Sequence, residues 1–262
     1  MKRILVSLIT LCLTLVAWAQ NDDFVQYQLD NGLTVYLWED HDQPDVQGWT
    51  VTRAGSIDEP ANATGLAHYL EHMLFKGTDR IGALDWEKEQ PLYEQIIALY
   101  DTLALTTDAK AREAVQLRIN EVSLEAAKYA ATDEFSNLVQ GIGGEGLNAF
   151  TAYDVTCYMN SFPAYQMERW LTLYADRLTN PVFRSFQAEL ENVFEEYNMY
   201  LDDNSTHSRN FIFGKLYEGH AYARDIIGYP EDLKNPKLRQ LIDFYHTWYV
   251  PNNMALILVG DF

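Results

Sequence analysis

The segment GLAHYLEHMLFKGT, residues 65–78, constrains the fold more than any other part of this 262-residue chain. It places three ionisable side chains in a strongly apolar setting. On an α-helix, His68 and His72 project from one face, about 40° apart, and Glu71 lies about 60° to the other side of His68. The other residues are apolar around nearly the whole circumference, which predicts a helix buried on all sides.

A single histidine on an apolar helix is more often a packed core residue than a ligand. Two histidines and a glutamate together are different, since burying three ionisable groups without a metal or partners is costly. Two imidazoles on one face can supply two ligands of a tetrahedral zinc ion. Glu71 need not be a ligand and can act as a general base toward a water on that metal. The segment is therefore predicted to carry His68 and His72 as zinc ligands.

The net charge of the chain and its N-terminal segment indicate which partners and which cellular compartment to expect. Acidic residues number 38 against 19 basic, a net charge of −19, which makes nucleic acid and anionic membranes unfavourable partners. At residues 1–19, Lys2 and Arg3 precede an apolar run that ends in small residues, which predicts a secretory signal peptide. No later segment is long enough to span a membrane. We expect an exported protein, periplasmic or secreted, without an integral membrane segment in its mature chain.

Alternating apolar and polar residues predict the strands. The first two are joined through Asp-Asn-Gly, a strong signal for a β-hairpin. A glycine-rich turn precedes the fourth, and it lacks the Lys-Ser/Thr pair of a phosphate loop. The predicted strands are Val25–Leu29, Leu33–Glu39, Trp49–Ala54, Ala149–Met159 and Asn253–Gly260.

Apolar residues at helical spacing predict the other elements. Between about residues 85 and 135, two amphipathic helices form a hairpin whose apolar stripes we assign to packing. The His68 helix is predicted to have Thr64 as its N-cap and Gly77 as its C-terminal stop. Later helices are predicted at residues 165–178, from Ser185 or Phe186 to about Leu201, and at residues 210–218 and 238–249.

A run of glutamates occupies the helix that begins near Phe186. Such a run is usually a solvated face. Glu189, Val193 and Glu196, however, follow the spacing i, i+4, i+7 and so share one stripe of the helix. A stripe of this kind can face inward where cations are available to it.

Four motifs in a fixed order make the sequence resemble the inverzincin zinc metallopeptidases, peptidase family M16. They are LDNGLTVYLWED, GLAHYLEHMLFKGT, NAFTAYDVT and YVPNNMALILVGDF, and they span nearly the whole predicted mature chain. The resemblance implies an α+β fold, a processing-peptidase-like metallohydrolase domain with a mostly antiparallel sheet covered by helices. The hairpin at about residues 85–135 would be an insertion in it.

The resemblance also implies roles for individual residues. His68, His72 and Glu196 would bind one zinc ion, and Glu71 would be the general base. Glu189, seven residues before Glu196, would orient a ligand through a hydrogen bond.

Two further expectations follow from the same resemblance. Glu195 is the alternative third ligand. Asn148 and Ala149 lie on the strand that in this family accepts the substrate as an added β-strand, so their backbone groups should bind the peptide.

The expected function is that of an exported zinc endopeptidase acting on peptides or unfolded segments. The family's active clamshell has a second, similar domain, so residues 20–262 are expected to be an N-terminal domain truncated before it. A second homologous domain or a partner subunit would then be needed.

Two other functions are compatible with parts of the pattern. The first is a non-catalytic peptidase-like assembly subunit, or an inactive fragment, that binds zinc without turnover. The second is the inverted-motif lyase of quorum signalling, against which the signal peptide and Glu196 argue.

Overall fold

A six-stranded sheet is the framework of the computed structural model, which describes residues 24–235 and 237–262. The predicted signal peptide at residues 1–19 lies outside the described residues. The sheet order is β1-β2-β6-β3-β5-β4. Only the β2–β6 pairing is parallel, which confirms the prediction of a mostly antiparallel sheet. The strands are β1 Phe24–Gln28, β2 Thr34–Glu39, β3 Asp45–Thr52, β4 Glu145–Thr151, β5 Thr156–Pro163 and β6 Met254–Gly260.

Nine α-helices occur in the described residues, and none of them is both long and apolar enough to cross a bilayer. Helices α1, α4 and α5 pack against β4 and β5. The helices are α1 Leu66–Met73, α2 Trp86–Leu105, α3 Ala109–Ala126, α4 Glu134–Gly141, α5 Met167–Thr179, α6 Phe186–Leu201, α7 Asn204–Leu216, α8 Pro230–Leu233 and α9 Leu238–Trp248.

The core forms where the helices cover the sheet. On β3 the side chains of Val46, Thr50 and Thr52 are buried, in the alternation expected of a strand with one covered face. Gly48 belongs to the same series and allows close approach of a helix, since a Cβ there would lie 2.4 Å from the indole of Trp170. The strand therefore brings α5 directly onto the sheet.

The predicted helical hairpin is present as α2 and α3. Asp85 and Asp108 cap the two helices by accepting hydrogen bonds from Lys88 N and Ala111 N. Of the predicted apolar stripes, the residues that are buried are Ile96, Leu103, Ile119, Val122 and Ala126. Packing therefore accounts for the stripes.

The middle of the chain differs from the prediction in two places. Ala149–Met159 is not one strand, because a turn closed by Ala152 N donating to Val155 O at 2.7 Å separates β4 from β5. Helix α4 was not predicted, because the glycines beside it indicate a turn. Its signal was present: Phe135 and Val139 lie four residues apart and both are buried.

Candidate metal centre

Helix α1 begins against a buried carboxylate. Glu59 accepts hydrogen bonds from Gly65 N at 3.0 Å and Ala67 N at 2.8 Å, so its two oxygens satisfy backbone donors of the first turn. Burial raises the pKa of Glu59 to about 8, while the hydrogen bonds from Ala67 and Gly65 act in the opposite direction and favour the ionised form. The apolar residues of α1, including Leu66, Leu70 and Met73, are buried, as predicted.

The predicted ends of this helix were wrong. Gly65 is the N-cap, with φ of 81°, and a Cβ there would lie 2.4 Å from Ile227 O. Thr64 instead donates its hydroxyl to Asp232 at 2.6 Å. The helix ends at Met73, before Gly77, because the chain leaves it through a turn.

Three donor atoms from α1 and α6 meet at one point. Glu196 Oε2 lies 3.5 Å from His68 Nε2 and 3.5 Å from His72 Nε2, and all three atoms lie within 4.8 Å of one another. Ligand atoms around one tetrahedral zinc, with bonds of about 2.1 Å, are about 3.4 Å apart. A direct hydrogen bond would bring such atoms to about 2.9 Å. The spacing therefore fits a shared metal ion.

Helical position on α6 decides which glutamates face α1. Val193 is fully buried and Glu189 nearly so, while Glu196 lies at the more open end of the same stripe. Glu195, the alternative ligand, is exposed and lines a groove on the opposite side of α6, together with Glu191. The structure therefore brings Glu196, and not Glu195, to the histidines.

Glu189 joins the two helices through a pair of short contacts. Its Oε1 lies 2.8 Å from His72 Nδ1, and its Oε2 lies 2.5 Å from Lys76 Nζ. Burial alone would raise the pKa of Glu189, but the hydrogen bonds from His72 and Lys76 lower it to about 2. The anionic carboxylate fixes the imidazole of His72 with its Nε2 directed at the donor cluster, which consists of His68 Nε2, His72 Nε2 and Glu196 Oε2. Lys76 was not predicted, although it lies within the motif segment.

The two histidines have opposite electrostatic environments. Burial, followed by the neighbouring His72, lowers the pKa of His68 to about 4, so this imidazole is neutral and has a lone pair available for a metal. Burial also acts to lower the pKa of His72, yet the hydrogen bond to Glu189 and the nearby carboxylate of Glu196 raise it to about 9. The carboxylates that favour a positive charge on His72 provide the same field to a bound cation.

Glu71 lies on α1 toward β4. The hydroxyl of Thr151 donates a hydrogen bond to Glu71 Oε2 at 2.6 Å. Burial raises the pKa of Glu71, which moves this carboxyl toward the range in which a general base works well. The contact of Thr151 with Glu71 was not predicted. The sequence feature that points to Thr151 is its position in the NAFT motif, three residues after Asn148.

The predicted substrate-binding residues lie on an edge strand. Strand β4 pairs with β5 through Asn148 opposite Met159 and Ala149 opposite Tyr158, and no other described strand pairs with it. Asn148 is exposed and Ala149 is partly buried. The strand has the open edge that peptide addition requires.

Two imidazole nitrogens and one carboxylate oxygen form the donor set of many catalytic zinc sites, with one position left for water or substrate. The residues present therefore fit zinc in both chemistry and spacing. The roles of His68, His72 and Glu196 as ligands stay predictions.

Comparison with known sequences identifies the family. The sequence profile of the insulinase family, peptidase family M16, matches residues 34–89 and 117–229. The interval between the two matches contains most of the α2–α3 hairpin, whose interpretation as an insertion stays a prediction.

The chain is also similar to curated proteins and solved structures. It is 26% identical to the probable zinc protease PqqL of Escherichia coli over 99% of this chain and 24% of that protein. It is 24% identical to the zinc protease PqqE of Helicobacter pylori over 80% of this chain and 36% of that protein. The crystal structure of the first half of Escherichia coli periplasmic protease PqqL aligns with a TM-score of 0.68 at 23% identity, covering 93% of this chain and 43% of that one.

The chain thus spans about a quarter to a third of the length of these curated relatives. Both relatives are named zinc proteases, and the aligned structure is that of a first half. The chain belongs to the insulinase family, peptidase family M16, and aligns with part of the first half of Escherichia coli PqqL.

Proposed function

We propose that this chain is the zinc-binding part of an exported endopeptidase that hydrolyses peptide bonds in peptides or unfolded segments. The observation that carries the proposal is the convergence of His68 Nε2, His72 Nε2 and Glu196 Oε2 at metal-ligand spacing. Family membership and the relatives' names support it.

In this proposal, His68, His72 and Glu196 hold one zinc ion. When bound, zinc would polarise a peptide carbonyl and lower the pKa of water at its open position to about 7. Glu189 holds the ring of His72 through Nδ1, and Lys76 holds Glu189. This second contact keeps the carboxylate from rotating away from the imidazole.

Glu71 is the proposed general base. Its carboxylate takes the proton from the attacking water and later gives it to the leaving amine. Thr151 holds one carboxylate oxygen, which leaves the other free for the proton. Because Thr151 is the last residue of β4, its hydrogen bond fixes Glu71 relative to the strand on which the substrate would bind.

The substrate would bind in extended form along the open edge of β4. Its backbone would pair with the backbone groups of Asn148 and Ala149, which gives affinity without demanding a particular sequence. The net charge of −19 favours neutral or cationic peptides over acidic ones.

We further propose that residues 20–262 form an N-terminal domain that works with a second homologous domain or a partner subunit. The chain's share of its relatives' length supports this. Residues 1–19 would direct export to the periplasm or the medium, in keeping with the description of Escherichia coli PqqL as a periplasmic protease.

Zinc content and peptide cleavage test the proposal together. The purified chain should bind one zinc ion per molecule, and cleavage of an unstructured peptide should cease on chelation and return with added zinc. Glu71→Gln should retain the zinc and lose the cleavage. Zinc binding without turnover, even with a partner half supplied, would favour the non-catalytic subunit. A chain that binds no zinc would contradict the proposal.

A further inference from the structure

A buried ion pair lies between the helical hairpin and the start of α6. Arg184, 5% exposed, immediately precedes the N-cap of α6, and Glu89, 1% exposed, lies in the first turn of α2. Arg184 Nε lies 2.6 Å from Glu89 Oε1, and Arg184 Nη2 lies 3.1 Å from Glu89 Oε2. The pair is bidentate, the arrangement in which a guanidinium and a carboxylate bind most strongly.

The other donors of Arg184 bind the segment that follows α1. Nη1 donates to Lys76 O at 2.7 Å and Ile81 O at 3.2 Å, and Nη2 donates to Thr78 O at 2.7 Å. A guanidinium has five N–H groups, so these contacts use all of them. A lysine at this position has only three donors on one atom and could not reach the same acceptors.

These contacts lead directly to the donor cluster. Arg184 fixes the backbone of Lys76, whose Nζ binds Glu189, and Glu189 binds His72 Nδ1. Arg184 also stands at the beginning of the helix that carries Glu196. One side chain therefore constrains both segments from which the donor atoms come.

Stability alone explains this arrangement poorly. A buried ion pair contributes little compared with well-packed apolar side chains of similar volume, because both charges lose their hydration. What the pair supplies is a fixed distance and orientation between three segments that are remote in sequence.

We infer that Arg184 and Glu89 are positioning residues for the metal centre, which fix α6 relative to α1 so that Glu196 meets His68 and His72. The inference rests on the proposed zinc site. It makes the first turn of helix α2 a support of that site, and both Glu89 and Arg184 lie within the matched family segments.

Zinc affinity measured by chelator competition tests the inference. Arg184→Lys and Glu89→Gln should each weaken zinc binding about tenfold, the lower end of the range for residues that support a ligand. Cobalt(II) bound in place of zinc should show an altered visible absorption spectrum, since that spectrum reports ligand geometry. The control is Asp101→Asn, which breaks an exposed pair between α2 and Arg239 of α9. It should change the affinity less than twofold.

A double variant separates positioning from folding. Glu89→Leu combined with Arg184→Met replaces the pair by apolar side chains, an exchange that is often neutral for stability. Because the carbonyl oxygens of Lys76 and Thr78 also lose a donor, it should unfold at a lower temperature than the wild type without metal, yet remain folded at room temperature and show the same loss of zinc affinity and the same change in the cobalt spectrum. If the folded variants show the zinc affinity and the cobalt spectrum of the wild type, the inference is overturned and the proposed function is not. Absence of zinc binding by the wild-type chain would overturn the proposed function as well.

Discussion

The two faces of α6 carry similar residues but lie in different environments. The inner face, with Glu189, Val193 and Glu196, packs on α1 and meets the imidazoles. The outer face, with Glu191 and Glu195, lines a groove of about 660 Å³ against the α2–α3 hairpin. Both faces combine apolar residues with glutamates, so side-chain type does not distinguish them.

What separates the faces is the supply of cationic partners. Glu189 is buried and is held by both His72 and Lys76. In the part of the chain that the structure describes, no ion pair is formed by Glu191 or Glu195, and both remain exposed. A carboxylate can be withdrawn from water only where such partners meet it. Substitutions matched across the two faces test this difference.

The largest effect is expected for the proposed ligand. Glu196→Gln should weaken zinc binding by more than about 100-fold, beyond the range for residues that only support a ligand. Glu195→Gln, one position away on the outer face, should bind zinc like the wild type. Isothermal titration with zinc measures both. Full zinc retention by Glu196→Gln would remove Glu196 from the ligand set.

A smaller effect is expected for the carboxylate that orients His72. Glu189→Gln should weaken zinc binding about 10- to 100-fold, because the amide cannot satisfy both His72 and Lys76 as an anion does. Glu191→Gln is the outer-face control and should leave the affinity unchanged. Equal losses in the two variants would contradict the assignment of the inner face.

Added hydroxyl groups compare the burial of the two faces. Val193→Thr keeps the shape of a fully buried side chain and should lower the free energy of unfolding by about 1–3 kcal/mol, since it moves a hydroxyl from water into an apolar site. Phe194→Tyr adds a hydroxyl beside the open groove and should change the free energy of unfolding by less than about 0.5 kcal/mol. Urea unfolding of both variants without metal provides the comparison.

The smallest effect concerns the start of α6, which both faces share. Ser185 is the described non-glycine residue with positive φ, at 56°, and its side chain makes no capping hydrogen bond. Ser185→Gly should raise the free energy of unfolding by about 0.5–1 kcal/mol by relieving that conformation. Ser185→Ala, which keeps the Cβ, should be close to neutral. A stabilised alanine variant would show that the side chain, and not the backbone, is responsible.

Much of the candidate site could be predicted because its signals are local. The spacing of His68 and His72 places both rings on one helix face in any fold, and the spacing of Glu189 and Glu196 does the same for α6. The Asp-Asn-Gly turn likewise predicted the β1–β2 pairing, since Gly32 adopts the positive φ that such a turn requires.

The parts that could not be predicted depend on contacts between segments remote in sequence. Thr64 is a residue type that often caps helices, but its hydroxyl donates a hydrogen bond to Asp232, which lies 168 residues later in the chain. Gly65 is the N-cap instead. Thr151 and Lys76 acquire their partners only when β4 and α6 are placed beside α1.

By itself, the sequence determined which groups share a helix face: two imidazoles with the carboxyl of Glu71 beside them, and a stripe of carboxylates on a second helix. Only the tertiary structure decided that Glu196 and not Glu195 meets the histidines. It also decided that Arg184 binds three backbone carbonyls and Glu89 at once. The reason is physical. Every residue has a backbone carbonyl, so composition cannot indicate which ones a buried guanidinium will reach, and that selection follows from the path of the whole chain.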